Sequence, residues 1–335
     1  MKVLYGVQCT GNGHITRSFE LIKELKKYVK VDIVTSGSHS EIELPYYVRY
    51  RLKGLSYYFG KNGSFDLKKT LKSNNIVRFV KEVKRLPLDE YDLIISDFEP
   101  ISAWAAKLKK KYTAGLSNQV SLLHPSVPKP KKTALLSRLF LKVFCPIDEG
   151  YGLLYKKYAN NIFHPPIRQV IRDLTPTLGA HYVVYLPCYS DDRIISVLQH
   201  VSSVKWVVFS KNVAEDEMHD NVQIKAIAES SFIQYLENCS GVLCTAGFGT
   251  TSEAIFLKKK LLVVPMKNQY EQTCNAHILN TLGIPYLQYF NKNTVDQIKE
   301  WVAKDSTINI EFKDETGSIV RTILTDYINH SKQVV

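Results

Sequence analysis

The chain lacks the features that would place it across a membrane, in an oxidising compartment or around a metal. No run of about 18 apolar residues occurs, so no transmembrane helix is expected. The opening Met1-Lys-Val-Leu-Tyr-Gly-Val reaches Gly6 and a polar loop too early for a secretory signal. The cysteines at 9, 145, 188, 239, 244 and 274 form no Cys-x-x-Cys pair and no zinc spacing. They read as reduced thiols of a cytoplasmic protein. No Asp-x-Asp metal motif is present (Asp191 and Asp192 are adjacent), and neither a metal nor a cofactor is expected. Acid is scarce beside base: 32 Asp and Glu stand against 44 Lys and Arg, a formal net charge of +12. Such a surplus favours phosphate-rich partners or an anionic membrane surface. The basic residues are scattered and no nucleic-acid motif appears, so nucleic acid is not an expected partner.

What is present is a globular composition, 45% hydrophobic and 23% charged over 335 residues, enough for two domains. Short apolar runs alternate with helical patterns. Val3–Val7, Val31–Thr35, Tyr47–Leu52, Leu93–Ser96 and Tyr112–Leu116 read as strands. His14–Tyr28, Ile76–Lys84 and Ala103–Lys110 read as helices between them. A second cycle begins near His181, with strands at His181–Leu186, Lys205–Phe209, Val222–Ala226, Gly241–Cys244 and Leu261–Val264. This βα alternation predicts doubly wound parallel sheets. The expected division is 1–165, 166–315 and a C-terminal helix within 316–335 that returns to the first domain.

Two blocks of the second half carry the chemistry. The Gly241 run ends in Thr245-Ala-Gly-Phe-Gly-Thr-Thr-Ser-Glu253, a small-residue turn opening a helix with a carboxylate in its first turns. The Leu261 run ends in Pro265 and a polar loop containing Glu271-Gln272, followed by Asn275-Ala276. Glycines let a backbone approach an anion, and a helix start favours negative charge. A carboxylate close by can grip two vicinal hydroxyls. A nucleoside diphosphate sugar suits such a site. In the first half, Gly11-Asn-Gly-His14 follows the first strand, and Asp97-Phe-Glu99 follows the strand at Leu93.

The block Thr245–Glu253 resembles the His-x-Gly-x-x-Ser-x-x-Glu core of the UDP-glycosyltransferase signature. Glu271-Gln272 with Asn275-Ala276 resembles its closing acidic-Gln and Asn-Ala element. Both blocks are similar to those of the N-acetylglucosaminyltransferase that forms lipid II, and Gly11-Asn-Gly-His14 is similar to the glycine-rich acceptor loop of both. The resemblance implies an α/β GT-B fold: two facing Rossmann-like, doubly wound domains with an interdomain cleft. It implies an inverting transfer from a nucleotide sugar, expected to be a UDP-sugar, to a hydroxyl acceptor that the residues do not identify. Three departures stand out. Thr245 replaces the plant-type His, Gly249 replaces an Asn, and His14-Ile-Thr-Arg17 lacks the usual proline.

The resemblance makes His14 the catalytic base, with Asp97 orienting it. Glu99 is an alternative base or acceptor contact, and equally a cap for the next helix. Gly11, Gly13, Asn118 and Gln119 are candidates for the acceptor. Gly247, Phe248, Gly249, Thr250 and Thr251 form the expected diphosphate loop. Glu253 would hold the ribose, although Thr250-Thr-Ser-Glu253 also reads as a capping box. Glu271 and Gln272 would reach the sugar, and Asn275 serves the helix start or a phosphate. Ala226, Ile227 and Phe232 would wall the base, with Ser190 as a further phosphate contact or a plain turn residue.

Leu135–Phe144 is apolar, with Arg138 and Lys142 four apart. It is either a core helix or a helix lying on an anionic membrane, with Leu139, Phe140 and Phe144 in the interface. The second case would place a lipid-linked acceptor at the inner face of a membrane. Two other functions compete with sugar transfer: a UDP-sugar 2-epimerase, and a non-catalytic nucleotide-sugar-binding protein.

Overall fold

A computed structural model of the chain describes residues 1–37, 42–56, 72, 74–130, 135–305 and 308–334. Of these, the residues up to 168 and those from 312 onward form one compact unit, and 169–311 form a second.

The first unit contains β1 (Lys2–Gln8), α1 (Gly13–Leu25), β2 (Lys30–Ser36), β3 (Tyr50–Leu52) and α2 (Ile76–Arg85). It continues with β4 (Leu93–Asp97), α3 (Pro100–Leu108), β5 (Thr113–Ser117), α4 (Asn118–Leu123), α5 (Leu135–Phe144), β6 (Glu149–Leu153) and β7 (Ile162–Phe163). The strands form one parallel sheet in the order β3-β2-β1-β4-β5-β6-β7. Val3, Leu4, Tyr5 and Val7 of β1 are all buried, because a parallel sheet is covered on both faces. The winding direction reverses between β1 and β4. Ligands gather beyond the carboxyl ends of the strands at such a switch point.

Two glycines shape this edge. Gly11 has φ +91°, a left-handed conformation that lets the chain leave β1 and enter α1 at once. At Gly6 an added Cβ would strike the Ser102 hydroxyl and sit 3.2 Å from Glu99 Cβ, so glycine lets α3 press onto β1.

The second unit holds α6 (Gln169–Arg172), β8 (His181–Tyr185), α7 (Asp191–Leu198), β9 (Lys205–Ser210), β10 (Glu217–His219), β11 (Val222–Ala226) and α8 (Glu229–Asn238). Then come β12 (Gly241–Thr245), α9 (Phe248–Phe256), β13 (Lys260–Val264), α10 (Tyr270–Thr281) and α11 (Val295–Ala303). Its sheet runs β10-β11-β9-β8-β12-β13, parallel except for the β10 edge. The reversal falls between β8 and β12. Trp206, Tyr182 and Trp301 pack together in its core. The last helix, α12 (Thr316–Val334), belongs to the first unit and packs on α1. Tyr151 of β6 donates to Asp326 of α12 at 2.8 Å.

Some readings change. The strand expected at Tyr47–Leu52 shortens to Tyr50–Leu52. Asn118 and Gln119, both acceptor candidates, lie at a helix start: Ser117 accepts from Val120 N at 3.3 Å and caps α4. β6 went unread because Gly150 and Gly152 interrupt its apolar pattern. Gly152 is there because α4 lies so close that a Cβ would strike Ser121. All six cysteines are free. Among the described residues, no helix is long and apolar enough to cross a membrane, and no three metal-ligating side chains gather.

Candidate active site

The carboxyl edge of the first sheet brings one helix and two loops together around a buried carboxylate. β1 and β4 are paired with Val7 opposite Asp97, so the loop after β1 and the residues after Ser96 are neighbours. His14 stands in the first turn of α1. Its Nδ1 lies 2.9 Å from Asp97 Oδ1. With its proton on Nδ1, His14 donates to Asp97 and presents an unprotonated Nε2, the form a general base needs. Gln119 Nε2 is 3.5 Å from that atom.

Arg17, one turn along α1, completes the cluster. Its Nε donates to Asp97 Oδ2 at 2.8 Å, and its Nη2 reaches Oδ1. Nη2 also lies 2.6 Å from His14 Nδ1; a guanidinium only donates, so Nδ1 accepts from Arg17 when it is unprotonated, and a proton on Nδ1 turned to Asp97 requires Nη2 to draw back onto Oδ1. Asp97 has no exposed surface. Burial would lift its carboxyl, but the Arg17 charge and the His14 ring outweigh burial and hold it below the ordinary range. Phe98 has φ 54°, rare for a bulky residue. That turn lays its ring parallel to His14, centroids 6.3 Å apart, and against Phe144 of α5 at 4.9 Å.

Sequence reasoning passed over Arg17. The signal was there, since residues three apart on a helix share a face and the expected proline was missing beside His14. Glu99 is corrected. Its carboxylate caps α3 through Ile101 N at 2.8 Å and Ser102 N at 2.6 Å and accepts from Ser36 Oγ. It is wholly buried, and burial pushes its carboxyl up despite those donors. Of its two readings, the helix cap is the one the hydrogen bonds show. Asn118 is corrected too, being fully buried with its amide turned inward to Leu153 O at 3.2 Å. At Gly11 and Gly13 an added Cβ would meet nothing within 4 Å, so the loop is open on that side. An open depression of about 630 Å³ among Met1, Lys2, Lys26, Lys30 and Asp92 lies at the other end of β1.

In the second unit, the loops after β12 and β13 converge. Asn275 of α10 is fully buried and donates to Ala246 O at 3.1 Å, tying α10 to the turn before α9. An added Cβ at Gly247 would lie 3.9 Å from Gln272 Nε2. The capping box expected at Thr250–Glu253 does not form, because α9 starts earlier, with Gly247 as its N-cap. Gly247, Gly249 and Thr250 are half-buried at this start, and Phe248 is buried.

Three donor-site side chains hold hydrogen bonds within the protein. Thr251 is fully buried and its hydroxyl bonds back to Gly247 O at 2.7 Å, so it braces the turn. The Gln272 amide is held by its own loop: Oε1 accepts from Met266 N at 3.0 Å and Nε2 approaches Met266 Sδ at 3.2 Å. Asn275 likewise acts through the Ala246 carbonyl. Glu253 lies on α9 with 8% exposure, and Glu271 is half-buried in the first turn of α10. Ala226 and Ile227 are half-buried at the end of β11. Phe232 packs edge-on against Phe209 and Tyr185. Ser190 is exposed at the start of α7, where Asp191 and Asp192 already place two carboxylates in the first turn.

The architecture is shared with solved transferases. The glycotransferase of kitacinnamycin is 14% identical, with 98% of this chain and 95% of that one covered and a TM-score of 0.56. For Arabidopsis thaliana UGT89C1, solved with UDP, identity is 12%, coverage 98% and 94%, and TM-score 0.58. For the spinosyn rhamnosyltransferase SpnG these are 12%, 98% and 96%, and 0.56. A comparison with curated proteins gives no match. Two parallel-rich sheets with full-length likeness to these enzymes define a GT-B fold. The chain belongs to glycosyl transferase family 1, whose sequence pattern matches residues 1–304, and it is a glycosyltransferase.

Proposed function

We propose that the chain transfers a sugar from a UDP-sugar to a hydroxyl acceptor with inversion at the anomeric carbon and without a metal. The observation that carries this reading is the contact between His14 Nδ1 and Asp97 Oδ1 at the switch point of the first sheet. His14 Nε2 takes the acceptor proton as the acceptor oxygen attacks the anomeric carbon. The bond from that carbon to the diphosphate breaks, and UDP leaves. Asp97 holds the ring and offsets the charge it gains.

In this reading the acceptor belongs to the 1–165 part and the donor to the 166–315 part. Gly247, Gly249 and Thr250 offer N–H groups and a hydroxyl to the diphosphate at the start of α9. Glu253 holds the ribose, Glu271 the sugar hydroxyls, and Ala226, Ile227 and Phe232 the base. The acceptor is a hydroxyl compound, and the net charge of +12 favours one presented at an anionic membrane surface, such as a lipid-linked acceptor at its inner face.

The test is a pair of measurements on His14→Ala. Transfer should fall about 10²–10⁴-fold while UDP affinity stays at the wild-type value, since a general base supplies rate and not donor binding. Wild-type turnover in the purified variant would remove His14 from the mechanism. UDP release that needs no acceptor would point to chemistry on the donor alone.

A further inference from the structure

His14 Nδ1 has two neighbours that ask opposite things of it. Asp97 Oδ1, at 2.9 Å, accepts and so favours a proton on Nδ1. Arg17 Nη2, at 2.6 Å, donates and so favours a bare Nδ1 with the ring proton on Nε2. A neutral imidazole carries one proton, so it satisfies one of these neighbours at a time. Asp97 is held in either case. Its Oδ2 accepts from Arg17 Nε at 2.8 Å and its Oδ1 from Nη2. The guanidinium is thus anchored on the carboxylate, and Nη2 carries a second hydrogen that Nδ1 can accept.

Packing limits how far the ring can turn away from this choice. Phe98 lies parallel to it, and Phe98 in turn packs on Phe144 of α5. Phe144, expected at a membrane interface, is buried and serves this stack instead. The backbone of the same turn is fixed as well, since Ser18 Oγ donates to His14 O at 2.7 Å. Of the two contacts at Nδ1, the one to the guanidinium is the shorter. Oδ1 already accepts from Nη2, which makes it a poorer acceptor for a ring proton.

We propose that Arg17 is a positioning residue that sets the tautomer of His14, holding the resting ring with its proton on Nε2. In that form Nε2 cannot take a proton. Before His14 acts as a base, Nη2 draws back onto Oδ1, one proton leaves Nε2 and one arrives on Nδ1, with the ring charge unchanged. The His14 side chain is 13% exposed, so solvent can carry that proton. A hydroxyl that donates to Nε2 favours the second form, because it has no hydrogen bond to make with a nitrogen that already carries a proton. Arg17 thus links the base form of His14 to a hydroxyl on its Nε2 side. This rests on the transferase reading only for the role of Nε2; the tautomer belongs to the protein without substrate.

The test is nitrogen NMR of the full chain with isotope-labelled histidine at about pH 9, above the ordinary histidine range near about 6.5. His14→Gln assigns the signals. Wild type should show a bare Nδ1 and a protonated Nε2, in about tenfold excess over the reverse. Arg17→Met leaves Asp97 to set Nδ1 and should reverse the pattern by about the same factor. Arg17→Lys keeps a cation beside Asp97 and so spares the fold, but it lacks the planar fork that serves the carboxylate and the ring together, and it should reverse the pattern too. If Arg17→Met does not fold, wild type and Arg17→Lys decide. A wild-type Nδ1 that carries the proton overturns the proposal, and so does a folded Arg17→Lys with the wild-type pattern. Turnover separates the two readings: His14→Ala at the wild-type rate rejects the base role and leaves the tautomer standing, whereas a protonated Nδ1 together with lost turnover in His14→Ala rejects the tautomer assignment alone.

Discussion

Arg17 closes on both carboxylate oxygens of Asp97 while His14 contacts one of the same oxygens from the preceding turn of α1. The base cluster is thus a triad around one buried acid. The guanidinium neutralises a carboxylate that has no contact with solvent.

Removing that cation should be expensive. Arg17→Met leaves Asp97 buried with only an imidazole for company, and breaking one side of a buried pair costs about 3–5 kcal/mol. Urea unfolding at neutral pH reads this directly. A variant as stable as wild type would mean that Asp97 is adequately held by His14 alone.

Stability should depend on acid in a defined direction. The folded Asp97 carboxyl lies below its ordinary value of 3.8. Its contribution is therefore complete above that value and is lost as pH falls through the lower folded value. Glu99 works the other way: its folded carboxyl lies above 4.5, so its contribution is full below 4.5 and fades as pH rises through the raised value. As pH falls below 3.8, wild-type stability should drop more steeply than that of Asp97→Asn. Parallel unfolding curves for the two proteins across that window would contradict the assignment.

Glu253→Ala should weaken UDP binding about 10- to 150-fold, the equivalent of about 1.5–3 kcal/mol for hydrogen bonds to a charged group. Because the helix start is capped at Gly247 and not by Glu253, the melting temperature without nucleotide should hold. Calorimetry on the folded variant decides. Unchanged affinity would leave the ribose to another group.

Asn275 offers the opposite pattern. Asn275→Ala removes the donor to Ala246 O and leaves a buried carbonyl unpaired, which costs about 1–3 kcal/mol. Both stability and UDP affinity should fall, since the turn before α9 loses its tie to α10. Loss of affinity with intact stability would instead suggest direct contact with the donor.

The strand–helix alternation was legible because parallel strands covered on both faces are short apolar runs. Val3–Val7, Val222–Ala226 and the Gly241 run all lie within or match observed strands. β6 and β7 were not legible. Gly150 and Gly152 sit in β6 for the sake of a neighbouring helix, and β7 has two residues, too few to show a period.

The candidate site divides along the same line. His14, Asp97, Gly247 and Glu253 could be picked out because residue type and position beside a strand end reflect chemistry that is local along the chain. Glu99, Asn118, Thr251 and Gln272 have equally suitable side chains, yet each is committed to a backbone group within the protein. Arg17 shares a helix face with His14, but its role depends on a partner 80 positions away, which the local pattern does not name. Local sequence thus determined the class of fold and the loops that carry the chemistry, because strand period and turn residues act over a few neighbours. Only the tertiary structure decided which polar side chains remain available, because a hydrogen bond is spent on whatever group packing brings within about 3 Å.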